Sequence, residues 1–359
     1  MAIAILGAGN AGRAMAAYLS LRGHRVHLYN RWADELADIV DGRIFLSGAM
    51  EGTARIELIT TDIDAALADT QLVMMVVPSF GHSYLAEQMA PHLRPGQLVV
   101  VHPGIVGGAL AVQSALLRQK PGLDITVAES VTSLFAARNR GEGHVHLRRV
   151  LDAVPVGVLP VCQTEEALRL LADPFEGKFT AASSVLETSL NSINPIYHCP
   201  GMLCNLGRVD MSEQRYFGEV ITPSSARLIE AIDQERLALA ARLEVPARSF
   251  SGWHEVFFGV PGHNDVIAQT RTAYLAGGGS PLPTRSDHRF ITEDVPFGLV
   301  PWVHLGRLVG TTLPVTHAVV DVLSTAVDRD FWAEGRGLQD MGLASITSSR
   351  ALRERCGLD

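Results

Sequence analysis

"AIAILGAGNAGRAMAAYLSLRGHRVHLYN", Ala2–Asn30, holds a short apolar run, a glycine-rich turn, an amphipathic helical pattern and a second apolar run. The turn contains GxGxxG as Gly7, Gly9 and Gly12. A lone GxGxxG is weak evidence, but here it follows a strand pattern, opens a helix pattern and sits in a βαβ unit of the right length. Gly7 suits the tight turn, Gly9 the approach of a pyrophosphate, and Gly12 close helix–strand packing. Gly7, Gly9, Asn10 and Gly12 are therefore expected to bind a dinucleotide at the helix start, where free N–H groups face the anion. The alternative is a glycine-rich turn without a ligand.

The end of the second run sets cofactor choice. Asn30 and Arg31 stand where an acidic residue would take the ribose hydroxyls, and no carboxylate follows until Asp34. A neutral residue followed by arginine suits a 2′-phosphate, so NADP is the expected cofactor, with NAD as the second choice. Otherwise Arg31 is a solvated surface arginine. Further apolar runs follow as "IELIT", "LVMMVV", "QLVVVH" and "ITVAES", several of them separated by amphipathic segments. Near-continuous apolar strands between helices indicate a parallel sheet covered on both faces. "GHVHLRRV" and "AVPVGVLP" read as shorter strands near the end of this half. Ligands bind outside the carboxyl ends of such strands, which makes Pro78, Gly104 and Gly107 candidates for shaping the nicotinamide pocket. His82 and His102 read as loop residues.

From about Ser183 the patterns turn helical. The expected organisation is α/β: a Rossmann-type doubly wound domain over residues 1–182, then an all-α domain over 183–359. The chain of 359 residues, 47% hydrophobic, suits two domains with substantial cores. A net charge of -8 argues against a nucleic-acid partner. Four cysteines without a CxxC pair suggest reduced thiols in the cytoplasm and no zinc ribbon. The N-terminus lacks the basic start of a signal peptide, and no apolar stretch reaches the roughly 18 residues of a membrane span. The paired imidazoles of His144 and His146 have no third ligand nearby in sequence, so no metal is expected.

Within the helical half, "NSINPIYHCPG", Asn191–Gly201, spaces Asn191, Asn194 and His198 at three and four residues, which on one helix is a single polar face. Pro195 should kink or end that helix just before His198. The amides are candidates for substrate binding or for helix–helix hydrogen bonds. A histidine with near-neutral pKa suits general acid–base work, though it is equally an ordinary helix histidine when read alone.

Two stretches, "ETSLNSINPIYHCPGMLCN" and "HRFITEDVPFGLVPW", combined with GAGNAG, "VVP", "HPGIVGGAL" and "AESVTSLFAAR", resemble the opine dehydrogenases. This is the group that contains octopine dehydrogenase and N-(1-carboxyethyl)norvaline dehydrogenase. The resemblance covers nearly the whole chain. It implies NAD(P)H-dependent condensation of an amino acid with a 2-oxo acid, often pyruvate, and reduction of the imine to a secondary-amine dicarboxylate. By position it implies that His198 and Asp294 form the catalytic pair, and it also matches Arg289; from the residues themselves, Arg289 is a candidate to pair bidentately with a substrate carboxylate, and Asn194 and Asn191 are candidates to bind substrate. The partners it implies are small-molecule substrates, with a homodimer as the candidate assembly. Read on its own, Arg289 is also set to pair with Glu293 at i+4, and Asp294 to cap a helix. The amino donor is expected near "SGWHEVFFG", Ser251–Gly259, with the run Gly277–Gly279 at the mouth of the site. Two other readings stay open. One is a ketopantoate reductase or glycerol-3-phosphate dehydrogenase relative, which would rely on lysine, yet only Lys120 and Lys178 occur. The other is a non-catalytic NADP-binding protein.

Overall fold

The computed structural model describes residues 1–260, 265–276 and 280–359. The glycine run Gly277–Gly279 lies outside these. The chain divides into two compact units: Met1–Ser189 with Asp340–Gly342 and Arg355–Asp359, and Leu190–Gln339 with Leu343–Glu354. The first unit runs to Ser189, and it takes back two short C-terminal pieces. Cys356, in one of them, is fully buried.

The first unit is an α/β domain of Rossmann type. Its strands are β1 (Ala2–Leu6), β2 (Arg25–Tyr29), β3 (Arg43–Gly48), β4 (Gly52–Arg55), β5 (Leu58–Thr60) and β6 (Leu72–Met75), then β7 (Leu98–Val101), β8 (Thr126–Ser130), β9 (Phe135–Gly141), β10 (His144–Val150), β11 (Val154–Leu159) and β12 (Phe179–Ala181). Eight of them form one sheet in the order β12-β11-β8-β7-β6-β1-β2-β5. The pairing is parallel except between β11 and β8. Every residue of β1, β6 and β7 is buried. That is the burial their continuous apolar sequence demands, because polar residues have no solvent face to occupy there.

The other four strands form a separate sheet, β4-β3-β10-β9, that the sequence pattern did not reveal. Its strands are half exposed, and it joins β3 to β10 across about a hundred residues of chain, a pairing local periodicity cannot report. The two expected strand histidines belong to it. His144 stacks on Phe45, with ring centres 4.7 Å apart, and His146 Nδ1 lies 3.2 Å from Ser47 Oγ. Among the described residues no three His, Cys, Asp or Glu side chains group as metal ligands.

The second unit is helical among its described residues. Long helices span Pro223–Arg242, Val300–Val309 and Pro314–Ala326. No described helix is long and apolar enough to cross a membrane. A buried polar network ties the unit together. Fully buried Arg236 pairs with Asp233 at 2.5 Å and donates to the carbonyls of Leu190 and Arg248. The second Asp233 oxygen accepts from Phe250 N at 2.8 Å. Asn191 belongs to the same network: its Oδ1 accepts from Arg248 N and Trp253 Nε1, both at 2.9 Å, and its Nδ2 donates to Pro246 O at 2.9 Å. Asn191 is 3% exposed and its amide is engaged by two backbone groups and the Trp253 indole, a structural use in place of the expected substrate contact.

Removing one partner of a buried ion pair strands the other without water. Arg236→Met should therefore lower unfolding free energy by about 3–5 kcal/mol, and the Asp233→Leu/Arg236→Met double variant should lose less. Urea unfolding followed by circular dichroism measures this; a double variant weaker than the single would refute the stranded-charge account.

Candidate active site

In the first unit the glycine loop is shaped by contacts that exclude side chains. Gly7 has φ +119°, and a Cβ there would stand 2.3 Å from Val76 O; at Gly12 it would stand 1.9 Å from Gly7 O. Gly9 differs. It caps the helix Asn10–Leu21, and a Cβ there would meet nothing within 4 Å. The fold makes no demand for glycine at this point, so the open space before the helix N-terminus is the feature that fits a bound pyrophosphate. Arg13, which sequence reading passed over, braces the loop from behind. It is 2% exposed, donates to Ala8 O at 2.8 Å and pairs with Asp38 at 2.7 Å. That pairing holds the Asp38 carboxyl below its ordinary range. The only advance signal was its place directly after the third glycine.

Asn10 and Asn30 were expected to touch cofactor, but their side chains hold the protein's own backbone. Asn10 Oδ1 accepts from Asn139 N at 2.7 Å. Asn30 Oδ1 accepts from Ala8 N, and its Nδ2 donates to Trp32 O, both at 3.3 Å. Arg31 is exposed, its guanidinium 4.5 Å from the Tyr84 ring centre and 5.2 Å from that of Trp32. Pro78 is exposed and precedes the 3₁₀ turn Ser79–Gly81.

Gly104 is buried beside Glu129, a residue sequence reading missed. A Cβ on Gly104 would lie 2.4 Å from Glu129 Oε2. Fully buried Glu129 accepts from Ala109 N at 2.7 Å, Thr188 Oγ1 at 2.6 Å and Ser189 Oγ at 3.0 Å, and Ser189 Oγ accepts from Gly107 N. The carboxylate thus fixes the loop after β7 and occupies the start of the helix Gly108–Gln119. Neighbouring His102 accepts from Leu134 N at Nε2, so its proton sits on Nδ1, 2.7 Å from Ser130 Oγ. Burial pushes its pKa down to about 3, leaving it a neutral structural residue. A cavity of about 740 Å³ lined by Ile39, Gly42, Arg55, Ile56 and Glu57 contains none of the expected cofactor residues.

In the second unit the expected polar face loses Asn191 and keeps Asn194 and His198, four residues apart on one helix. Pro195 has no N–H to give the carbonyl of Asn191, so the helical ladder stops there. One helix ends at Leu190 and a new one runs Asn194–Leu203, with Pro195 in its first turn. Pro195 therefore starts the helix carrying His198 and does not end it. Asn194 is half-buried at that start.

The partner segment is Arg289–Thr292, a short helix, followed by Glu293, Asp294 and a π-helical turn, Val295–Leu299. Gly298 lets the two segments meet, since a Cβ there would lie 2.3 Å from Pro195 Cγ. The result is a hydrogen bond of 2.7 Å between His198 Nδ1 and Asp294 Oδ2, both side chains under a tenth exposed. The imidazole is stacked on Phe290, ring centres 3.5 Å apart and planes 15° from parallel, with Tyr197 and Phe217 also against it. Arg289 pairs with Glu293 at 2.6 Å; its side chain is 59% exposed, that of Glu293 only 4%. Burial, with the Arg289 charge adding to it, pushes the His198 pKa well down; burial raises that of Asp294 to about 7. The enclosed pair thus holds one proton in preference to a net charge.

A family model described as NAD/NADP octopine/nopaline dehydrogenase, alpha-helical domain, matches residues 181–327. An opine dehydrogenase from Arthrobacter sp. (strain 1C) is 34% identical over 350 residues, covering 96% of each chain. The chain belongs to the opine dehydrogenase family. It is accordingly an NAD(P)-dependent oxidoreductase that condenses an amino acid with a 2-oxo acid and reduces the imine. Among solved structures, octopine dehydrogenase with NADH and L-arginine has the same fold, with TM-score 0.81 and 17% identity over 98% of this chain and 97% of that one. Yersinopine dehydrogenase bound to NADP+ gives 0.74 and 16%, over 99% and 97%. A glycerol-3-phosphate dehydrogenase N-terminal model matches residues 2–124 only.

In this opine dehydrogenase both lysines lie in the Rossmann unit and serve it: Lys120 donates to Leu93 O at 2.9 Å and Lys178 pairs with Asp152 at 2.7 Å. The pH dependence of stability tests the shared proton. Between about pH 4.5 and 6 the unfolded pair carries one proton, on histidine, and the folded pair also carries one, so their linkage cancels. In Asp294→Asn the buried imidazole stays neutral when folded, whereas the unfolded one binds a proton below its ordinary 6.5. Relative to wild type, this variant should lose stability as pH falls below 6.5, by up to about 1.4 kcal/mol per pH unit. Parallel curves of urea midpoint against pH would rule out a shared proton.

Proposed function

We propose that His198 and Asp294 act as one acid–base unit in the condensation, supported by their 2.7 Å contact inside an aromatic enclosure. Attack of the amino nitrogen on the 2-oxo carbon forms a carbinolamine. The nitrogen must shed a proton and the hydroxyl must gain one to leave as water. When Asp294 is ionised it accepts from Nδ1–H, and Nε2 carries a lone pair that takes the amine proton. When the pair holds its extra proton, Nε2–H gives one to the departing hydroxyl. A group that loses its proton near pH 7 is balanced for both steps. Bound NAD(P)H supplies the hydride that reduces the imine carbon.

Arg289 is the proposed carboxylate ligand. Its ion pair with buried Glu293 orients one edge of an exposed guanidinium, and the other N–H groups are directed to substrate. Pyruvate is the proposed 2-oxo acid, as the family resemblance implies. NADP is the proposed cofactor, supported by Arg31 and by the absence of an acidic residue beside it. Four free cysteines favour a cytoplasmic setting. The lysine-based alternative finds no lysine in the helical unit.

His198→Ala should cut turnover by about 10²–10⁴-fold with the NADPH dissociation constant unchanged, and adding Asp294→Asn to it should cost little more. Asp294→Asn alone should move the acidic limb of the rate profile to lower pH, because an imidazole without its carboxylate is less basic. Steady-state turnover with amino acids and pyruvate, together with NADPH titration, measures these effects. Near-normal turnover in His198→Ala would return this histidine to a structural role. Arg31→Ala should narrow the preference for NADPH over NADH in the same assay.

A further inference from the structure

Four exposed arginines of the first unit, Arg25, Arg94, Arg118 and Arg169, have an acidic partner, as Arg25 has Glu57 and Arg169 has Glu166. Arg31 does not: among the described residues no carboxylate pairs with it, and its only recorded neighbours are aromatic rings. Its guanidinium lies 4.5 Å from the centre of Tyr84, a residue of the helix His82–Met89 that is itself 41% exposed. Trp32, 57% exposed, adds a ring at 5.2 Å. A guanidinium held over a ring by cation–π attraction spends no N–H group on a carboxylate, so its donors stay uncommitted. That is the presentation a phosphate needs, since two parallel N–H groups can reach two phosphate oxygens. A carboxylate partner would have spent the same edge.

We infer that Tyr84 is a positioning residue for cofactor choice: its ring holds the Arg31 guanidinium edge-outward for the 2′-phosphate of NADP. The inference rests on the NADP reading above and extends it to a residue from a different part of the sequence. The ring is the working part and the hydroxyl is not, so Tyr84→Phe should keep the effect and Tyr84→Ala should lose it. Without the ring, Arg31 samples many rotamers and must be ordered when phosphate binds, which weakens binding without abolishing it.

The test is calorimetric titration of the full chain with 2′,5′-ADP and with 5′-AMP, which isolates binding from turnover. The ratio of the two affinities reads recognition of the 2′-phosphate. Tyr84→Ala should reduce that ratio by about 3- to 10-fold, the range of an exposed to partly desolvated cation–π contact. Tyr84→Phe should stay within about two-fold of wild type, and 5′-AMP affinity should be unchanged in both. Tyr84 is exposed enough that both variants should fold, checked by their circular dichroism. An unchanged ratio in Tyr84→Ala, or an equal loss in Tyr84→Phe, would overturn the inference. Arg31→Ala separates the two claims. If it collapses the ratio while Tyr84→Ala does not, only the role of Tyr84 fails; if it leaves the ratio intact, the NADP reading fails with it.

Discussion

One proton, held between His198 Nδ1 and Asp294 Oδ2 across 2.7 Å, sets the terms for the helical unit. Neither group keeps its ordinary solution behaviour. Burial makes the imidazole reluctant to charge and the carboxyl reluctant to ionise. Each is an incomplete acid–base group alone, and the proposed acid–base unit is the pair with its single proton. That proton belongs to the pair, which is why replacing one member should alter both rate and linkage.

Holding such a pair requires the surrounding chain to resist two penalties, the loss of water around both groups and the loss of freedom of the ring. The aromatic enclosure meets the second. Phe290 lies flat on the imidazole, and Asp294 fixes its rotation in that plane. The close approach of Gly298 to Pro195 lets the π-helical turn that follows Asp294 sit against the start of the His198 helix. π-helical turns recur where a functional side chain needs an offset from regular helix spacing. The network of Asp233, Arg236 and Asn191 anchors the end of the preceding helix. Polar groups that cannot reach water are thus satisfied by backbone at two levels, beside the site and behind it.

The parallel sheet was legible because its central strands are buried on both faces and so must be apolar throughout. The glycine loop was legible because Gly7 and Gly12 face backbone atoms at distances that admit no side chain. The small sheet of β3, β4, β9 and β10 was not, since its partners lie far apart in sequence and its strands are half exposed. Asn191 was misread for a simple reason. Spacing of three and four residues defines a face only on an unbroken helix, and Pro195 breaks the ladder at the carbonyl of Asn191 itself. The proline was visible, and its consequence for residue i−4 was the inference to draw. Glu129 was invisible because nothing local marks a carboxylate whose partners, Ala109, Thr188 and Ser189, come from distant segments.

The arginines carry the same lesson into function. Arg13 and Arg236 are buried on aspartates and brace backbone; Arg289 divides its guanidinium between buried Glu293 and solvent. Arg31 leans on aromatic rings alone among the described residues. A guanidinium cannot be discharged in a protein, so what distinguishes these four is how many N–H groups the fold has already used. Where an aspartate takes the fork of a buried arginine, the residue is structural. Where the flat face is held and the edge is left open, it is prepared for an anion the protein does not itself contain. By that measure Arg31 has more of its guanidinium left for the proposed phosphate, and Arg289 has less left for the proposed carboxylate. The letter R is the same at all four positions; the partner decides which of them can recognise a ligand.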